Sequence, residues 1–195
     1  MILLTAVLAG SMTGWGYARW KGRAWHPPIF RAIWLVFLGF IPQWIAFYLP
    51  TTRQLLTDEI ASGCLILSQI ILMAFALLNL RVPGMVFLAL GLGCNLIVIV
   101  ANGGFMPLPF ETAAGFVERS HLESLTLGER ISSASKDILL KESEIYLPWF
   151  ADRFVPPSFV PYRFAFSMGD VGIAIGAFWM LVQPPSLQAN VIGDS

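Results

Sequence analysis

Two aspartates stand where carboxylate chemistry at a membrane face could be done. Asp152 closes the apolar, aromatic run Leu147-Pro148-Trp149-Phe150-Ala151-Asp152, and Asp170 closes Phe166-Ser167-Met168-Gly169-Asp170 at the start of a further apolar stretch. Two carboxylates brought close in a partly dry site cannot both ionise. They share a proton, so one serves as base on a water and the other as acid on a scissile carbonyl. Each residue also has a plainer role. Ser167 and Asp170 have the S-x-x-D spacing of a capping box, and negative charge suits a helix N-terminus. Asp152 could be neutralised by Arg153, Arg163 or Lys136.

A second constellation is Asn95 with Asn102-Gly103-Gly104. Seven residues separate the asparagines, so two helical turns place them on one face. Asn95 could hydrogen-bond a neighbouring helix while Asn102 and Gly103 end their own. Alternatively, Asn102 and the bare Gly103 and Gly104 amides line a polar cleft that grips a peptide or headgroup carbonyl. The candidate site is therefore Asp152 and Asp170 as catalytic pair, with Asn95, Asn102, Gly103 and Gly104 binding substrate. No cofactor is implied. Cys64 and Cys94 lie in apolar runs without metal-type spacing, and His26 and His121 stand far apart, so no metal site is expected.

The elements that must carry these residues follow from composition. Of the 195 residues, 56% are hydrophobic and only 12% charged, and the mean hydropathy is +0.71. Soluble proteins average about 25% charged residues, so polar surface is too scarce here to cover a soluble globule. The reading is an all-α polytopic membrane protein, a single membrane domain over residues 1–195 with the bilayer as its first partner. A formal net charge of zero and the absence of basic runs exclude a nucleic-acid binder.

Apolar runs of spanning length predict about five transmembrane helices, over residues 2–18, 29–49, 60–80, 85–101 and 168–182. The first is read as a span and not a cleaved signal, because its basic residues follow the apolar core. Gly10 and Gly14 in it permit close helix packing. Trp20 and Trp25 are expected at the membrane interface, and Pro42 should kink the second span. Arg19, Lys21, Arg23, Arg31 and Arg81 fall in loops on one side and Arg53 on the other. Basic loops stay in the cytoplasm, so the N-terminus is outside and residues 102–167 form a long extracytoplasmic segment.

Within that segment, residues 111–127 have the spacing of an amphipathic helix lying on the membrane, or of a solvated connector. Residues 131–149 could hold a second short helix ended by Pro148, and the prolines of 155–161 predict extended chain. After the last span, the tail to residue 195 reads as polar and loose.

Gly93, Asn95, the run Ala101-Asn102-Gly103-Gly104 with Met106-Pro107, Leu147 to Asp152, and Phe166-Ser167-Met168-Gly169-Asp170 together resemble a bacterial membrane family of unknown function (domain of unknown function family 5317). The resemblance covers most of the chain. It implies a multi-pass protein of the bacterial cytoplasmic (inner) membrane and brings no established activity. More locally, Phe150-Ala151-Asp152 and the later Asp170 resemble lipoprotein signal peptidases. Those aspartic enzymes hold a second Asp about 18 or 19 residues after the first, in a Phe-Asn-x-Ala-Asp motif. Here Ser167 and Gly169 replace that motif's Asn and Ala, and the peptidases' Gly-Asn-x-x-Asp-Arg stretch is missing.

The function expected is a two-aspartate membrane hydrolase or peptidase acting on a peptide or lipopeptide at the extracytoplasmic face. The alternative is a non-catalytic subunit or assembly factor bound to a membrane-protein partner, suited to the small size, seven tryptophans and Gly-rich first and last spans. A transporter would need charge in mid-membrane, and the spans carry Gln43, Gln69, Asn79 and Asn95 instead.

Overall fold

Apolar helices dominate the computed structural model, which describes residues 2–157, 160 and 162–183. They are α1 (Ile2–Trp20), α2 (Trp34–Gln43) continuing as a π-helical turn (Trp44–Tyr48), α4 (Asp58–Leu78), α5 (Met85–Ala101) and α8 (Met168–Val182), with the single turn α3 (Pro50–Arg53) between α2 and α4. Among the described residues, α4 is long and apolar enough to cross a membrane. Trp34–Tyr48, α5 and α8 are shorter apolar helices. By length and composition one helix is fit to cross a membrane, and the expected count of five is not shown. The tail 184–195 and part of the proline-rich stretch 155–161 lie outside the described residues.

The fourth and fifth expected spans coincide with α5 and α8, while the second begins five residues late, at Trp34. The cause lies in the preceding turn. Asn79 accepts from Arg31 N at 2.7 Å and donates to Arg31 O at 2.9 Å, and Ala32 takes a positive φ of 50°. A residue held in the left-handed region cannot continue a right-handed helix. At the other end, Pro42 withdraws an amide from the helix ladder. The next turn widens, with Leu49 N donating to Trp44 O, as π-bulges do. Trp20 is well exposed, whereas Trp25 does not sit free at an interface: its indole donates to Leu181 O at 3.1 Å.

Small residues set the helix packing. α5 meets α8 where Gly91 faces Gly169, so closely that a Cβ on Gly91 would fall 2.6 Å from Ile173 N. Gly10 and Gly14 bring α1 against the backbone of Phe178 and Leu181. Helices approach this closely only where side chains are absent. Two apolar cores result, one around Leu65, Val98, Ile99 and Met106, the other around Phe75, Met85, Leu92 and Ala177.

The segment after α5 departs most from expectation. It folds into a cap containing β1 (Met106–Pro109), α6 (Phe110–Ala113), α7 (Arg119–Ser124) and β2 (Asp137–Leu140). β1 and β2 pair in parallel, Met106 opposite Asp137 and Pro109 opposite Leu140. The all-α expectation is thus corrected to a mostly helical fold with one small sheet. The helix expected over 111–127 is broken into α6 and α7, and 131–149 holds a strand and two short 3-10 turns. Leu108, Ala113, Leu122 and Leu139 form the cap's own core, so the apolar spacing that suggested a membrane-surface helix serves burial within the cap. Arg130 ties the cap to the helices. It pairs with Asp58 at 2.8 Å and lies over the Phe105 ring at 5.3 Å.

Candidate functional site

Asp152 is carried inward by a strained turn. Asn102 ends α5, and its side chain donates to Val98 O and Tyr146 O and accepts from Tyr146 N. Next to this clamp Leu147 adopts φ 59° and ψ 57°, a left-handed conformation that costs a branched residue free energy. A 3-10 turn over Pro148–Phe150 follows. Asp152 then reaches β1, its N–H donating to Pro107 O at 3.0 Å, with the residue only 1% exposed. Two residues later Phe154 and Phe166 exchange backbone hydrogen bonds at 3.1 and 2.9 Å. That bridge folds the chain back and brings the start of α8, with Asp170, to a cavity that Asp152 also lines.

Both aspartates line one cavity of about 400 Å³. Its polar wall is Lys136, Asp137, Asp152, Arg163 and Asp170. Its apolar wall includes Ile2 and Leu3 at the start of α1, Phe164 and Phe166 from the return loop, and Ile173 on α8. A second hollow of about 450 Å³, between α1 and α8, is lined by residues such as Ala6, Phe178 and Trp179 and holds no titratable group.

The carboxylates on the cavity differ in their surroundings. Asp170 belongs to a closed polar ring. Its backbone N–H donates to Ser167 Oγ at 3.0 Å, its Oδ2 accepts from Ser167 N at 3.4 Å, and its Oδ1 accepts from Asn95 Nδ2 at 2.9 Å. Ser167 Oγ in turn donates to Asn95 Oδ1 at 2.9 Å. The capping box read from S-x-x-D is therefore present, and Asn95 extends it across to α5. Asp152 has far less support. Its Oδ2 lies 3.8 Å from Lys136 Nζ, and its Oδ1 is buried without a hydrogen-bond donor. Burial pushes its pKa up to about 8, against the pull of Lys136 and with the added charges of Asp137 and Asp170. Burial opposes the charge on Lys136 too, yet Asp152, Asp170 and Asp137 hold its pKa above the ordinary lysine value.

Of the three cations considered for Asp152, Lys136 is the partner. Arg153 pairs with Glu142 at 3.1 Å, and Arg163 donates to Gly115 O at 3.1 Å. The remaining candidates are elsewhere. Asn95 is consumed by the polar ring and Asn102 by the Tyr146 clamp, and neither is on the cavity lining, nor are Gly103 and Gly104. Gly103 and Gly104 turn the chain out of α5 with φ of 79° and 92°, and a Cβ on Gly104 would meet that of Ser62 at 2.5 Å. Only glycine takes that conformation at that separation. Asp137 escaped sequence reading altogether. Its signal was Asp137-Ile138-Leu139-Leu140, a polar residue opening a short apolar run of strand length. No group of three or more His, Cys, Asp or Glu side chains suited to a metal ion occurs among the described residues.

Fold and site together define a class: a mostly helical protein, with at least one helix fit to cross a membrane and a folded cap closing a carboxylate-lined cavity. Residues 29–182 match the model of a family of unknown function, DUF5317, and the chain belongs to that family. No curated protein and no solved structure matches it. The matched residues include every polar group on the cavity, while Ile2 and Leu3 on its apolar wall precede them.

Proposed function

We propose that this chain is a multi-pass protein of the bacterial cytoplasmic membrane, one domain with five spans, its N-terminus and cap outside, and that the cavity hydrolyses a peptide or lipopeptide. The spans are α1, α2 with its π turn, α4, α5 and α8. Large apolar side chains left exposed along them support this, among them Leu4, Phe37, Leu90 and Ile97. A surface this apolar needs a cover, and the basic loops set the orientation.

The observation that carries the catalytic reading is that Asp152 and Asp170 share one cavity in different surroundings, Asp152 with a buried oxygen that has no donor and Asp170 inside a polar ring. Asp152, with a pKa of about 8, is protonated at neutral pH and serves as the acid. Asp170 accepts one hydrogen bond on each oxygen, from Ser167 N and Asn95 Nδ2, yet each carboxylate oxygen has a second lone pair for a water. Water attacks the scissile carbonyl and gives its proton to Asp170, while Asp152 protonates the carbonyl oxygen. The tetrahedral intermediate then collapses, expelling the amine, which takes the proton from Asp170, and the proton on the oxygen returns to Asp152. The cavity's apolar wall, built partly from α1 and α8, suits the lipid-like part of such a substrate.

The test uses purified protein in liposomes with a fluorogenic lipidated peptide. Asp152→Asn and Asp170→Asn should each abolish turnover and leave thermal unfolding cooperative; turnover in either folded variant ends the proposal. A second reading, a non-catalytic subunit, is favoured by the polar ring, which gives Asp170 a sufficient role as a latch between α5 and α8. It predicts a co-purifying membrane partner in mild detergent, and a lone monomer argues against it.

A further inference from the structure

Among the described residues the cavity carries more acids than bases. Lys136 and Arg163 bring two positive charges, and Asp137, Asp152 and Asp170 bring three acids. Both carboxylate oxygens of Asp170 have a donor, Asn95 Nδ2 on Oδ1 and Ser167 N on Oδ2. The acids left short of donors are Asp137 and Asp152. These two reach one cavity from opposite edges of β1: Asp137 on β2 pairs with Met106, and Asp152 N donates to Pro107 O.

Their free atoms match. Asp137 Oδ2 accepts from Ser135 Oγ at 3.0 Å, and Asp152 Oδ2 faces Lys136. The Oδ1 atom of each is buried with no donor, and Asp137 is close enough to raise the proton affinity of Asp152. Two ionised carboxylates repel at that range, whereas a carboxyl and a carboxylate form a short, charge-assisted bond. We infer that Asp137 and Asp152 hold one proton between their Oδ1 atoms, and that this pair is the proton donor of the cavity. The inference rests on the hydrolytic reading for its use and supplies that reading with a third carboxylate. Asp137 acts through Asp152 and is a positioning residue.

A single proton explains both neighbours. The pair carries one negative charge, which keeps Lys136 charged in its part-buried position, and it leaves Asp152 protonated well above the ordinary carboxylic range. Among the described residues, the other groups facing the pair are Arg163 from the return loop and Asp170 from α8, with apolar Ile2 and Leu3 from α1.

Infrared difference spectra of the purified full chain, titrated with acid and base, test this. Wild type should keep a protonated-carboxyl band at pH 7 that titrates away with a midpoint near 8, and Asp152→Asn should remove it. Asp137→Asn should lower that midpoint by at least about one pH unit, because an amide donates to the ionised Asp152 where a carboxylate repels it. Asp170→Asn should move it less. Ser135→Ala, which withdraws the donor from Asp137, should raise it. No carboxyl band in wild type at pH 7, which needs no substitution, or a midpoint indifferent to both Asp137→Asn and Ser135→Ala, would overturn the pair. Turnover measured on the same samples separates the two ideas: the expected spectra without any hydrolysis sustain the pair and remove the hydrolase.

Discussion

Asn102 holds both backbone polar groups of Tyr146, donating to its carbonyl and accepting from its N–H, each at 2.9 Å, across 44 residues of chain. The same device recurs where Asn79 holds Arg31. In each case an asparagine at the end of a helix borrows the backbone of a distant loop. At Tyr146 the clamp fixes the entry to the strained Leu147 turn, and so the depth at which Asp152 arrives.

Asn102→Ala should therefore loosen the cap. Three hydrogen bonds are lost and the Tyr146 groups are left without their partner, at a cost of about 2–4 kcal/mol. A lower unfolding temperature and faster proteolysis within the cap would check it. Asn102→Asp, which sets a carboxylate oxygen against the Val98 and Tyr146 carbonyls, should lose at least as much.

The raised pKa of Asp152 makes stability depend on pH in a stated direction. Between the ordinary aspartate value and about 8 the folded state binds a proton that the unfolded state has released. Stability from this residue is thus fully present below about pH 4 and is lost as pH rises to about 8. Asp152→Asn removes the ionisation. Relative to wild type the variant should gain in unfolding temperature from pH 5 to pH 8; a constant difference across that range would refute the shift.

Close packing between α5 and α8 should tolerate no side chain at Gly91. Gly91→Val drives a branched side chain into the Gly169 and Ile173 backbone, which costs about 1–3 kcal/mol or more. Gly63 on α4 is the control, since a Cβ there meets nothing within 4 Å. Gly63→Ala should stabilise by about 0.5–1 kcal/mol through helix propensity. Thermal unfolding of both variants in one detergent gives the comparison.

The polar ring makes Ser167 worth more than an ordinary cap. Ser167→Ala removes the acceptor for Asp170 N and the donor to Asn95 Oδ1. The loss should exceed the roughly 1 kcal/mol typical of a helix cap. Ser167→Thr, which retains the hydroxyl, should recover most of it in the same unfolding assay.

Features that depend on neighbours in sequence were legible without the fold. The runs at 85–101 and 168–182 are helices with those bounds, because a long apolar run without proline forms helix wherever it is buried or bathed in lipid. Ser167 and Asp170 form the capping box their spacing announced, since its two bonds close within one turn. The Asn102-Gly103-Gly104 ending of α5 was equally local, as positive φ at glycine is a property of the residue. Tertiary contacts decided the remainder. The 111–127 pattern gave way to two short helices because Leu108 and Leu139, brought together by strand pairing, offered its apolar residues a core. Asp137 came to the cavity of Asp152 only because β1 accepts one segment on each edge, and no spacing along the chain records a contact made across a strand. Asp152 and Asp170 came to one cavity through the Phe154–Phe166 bridge, where backbone groups pair without regard to side-chain type. Local sequence carries helix, cap and turn; the energy of long-range pairing, which depends on where distant segments meet, chose the partners of each carboxylate.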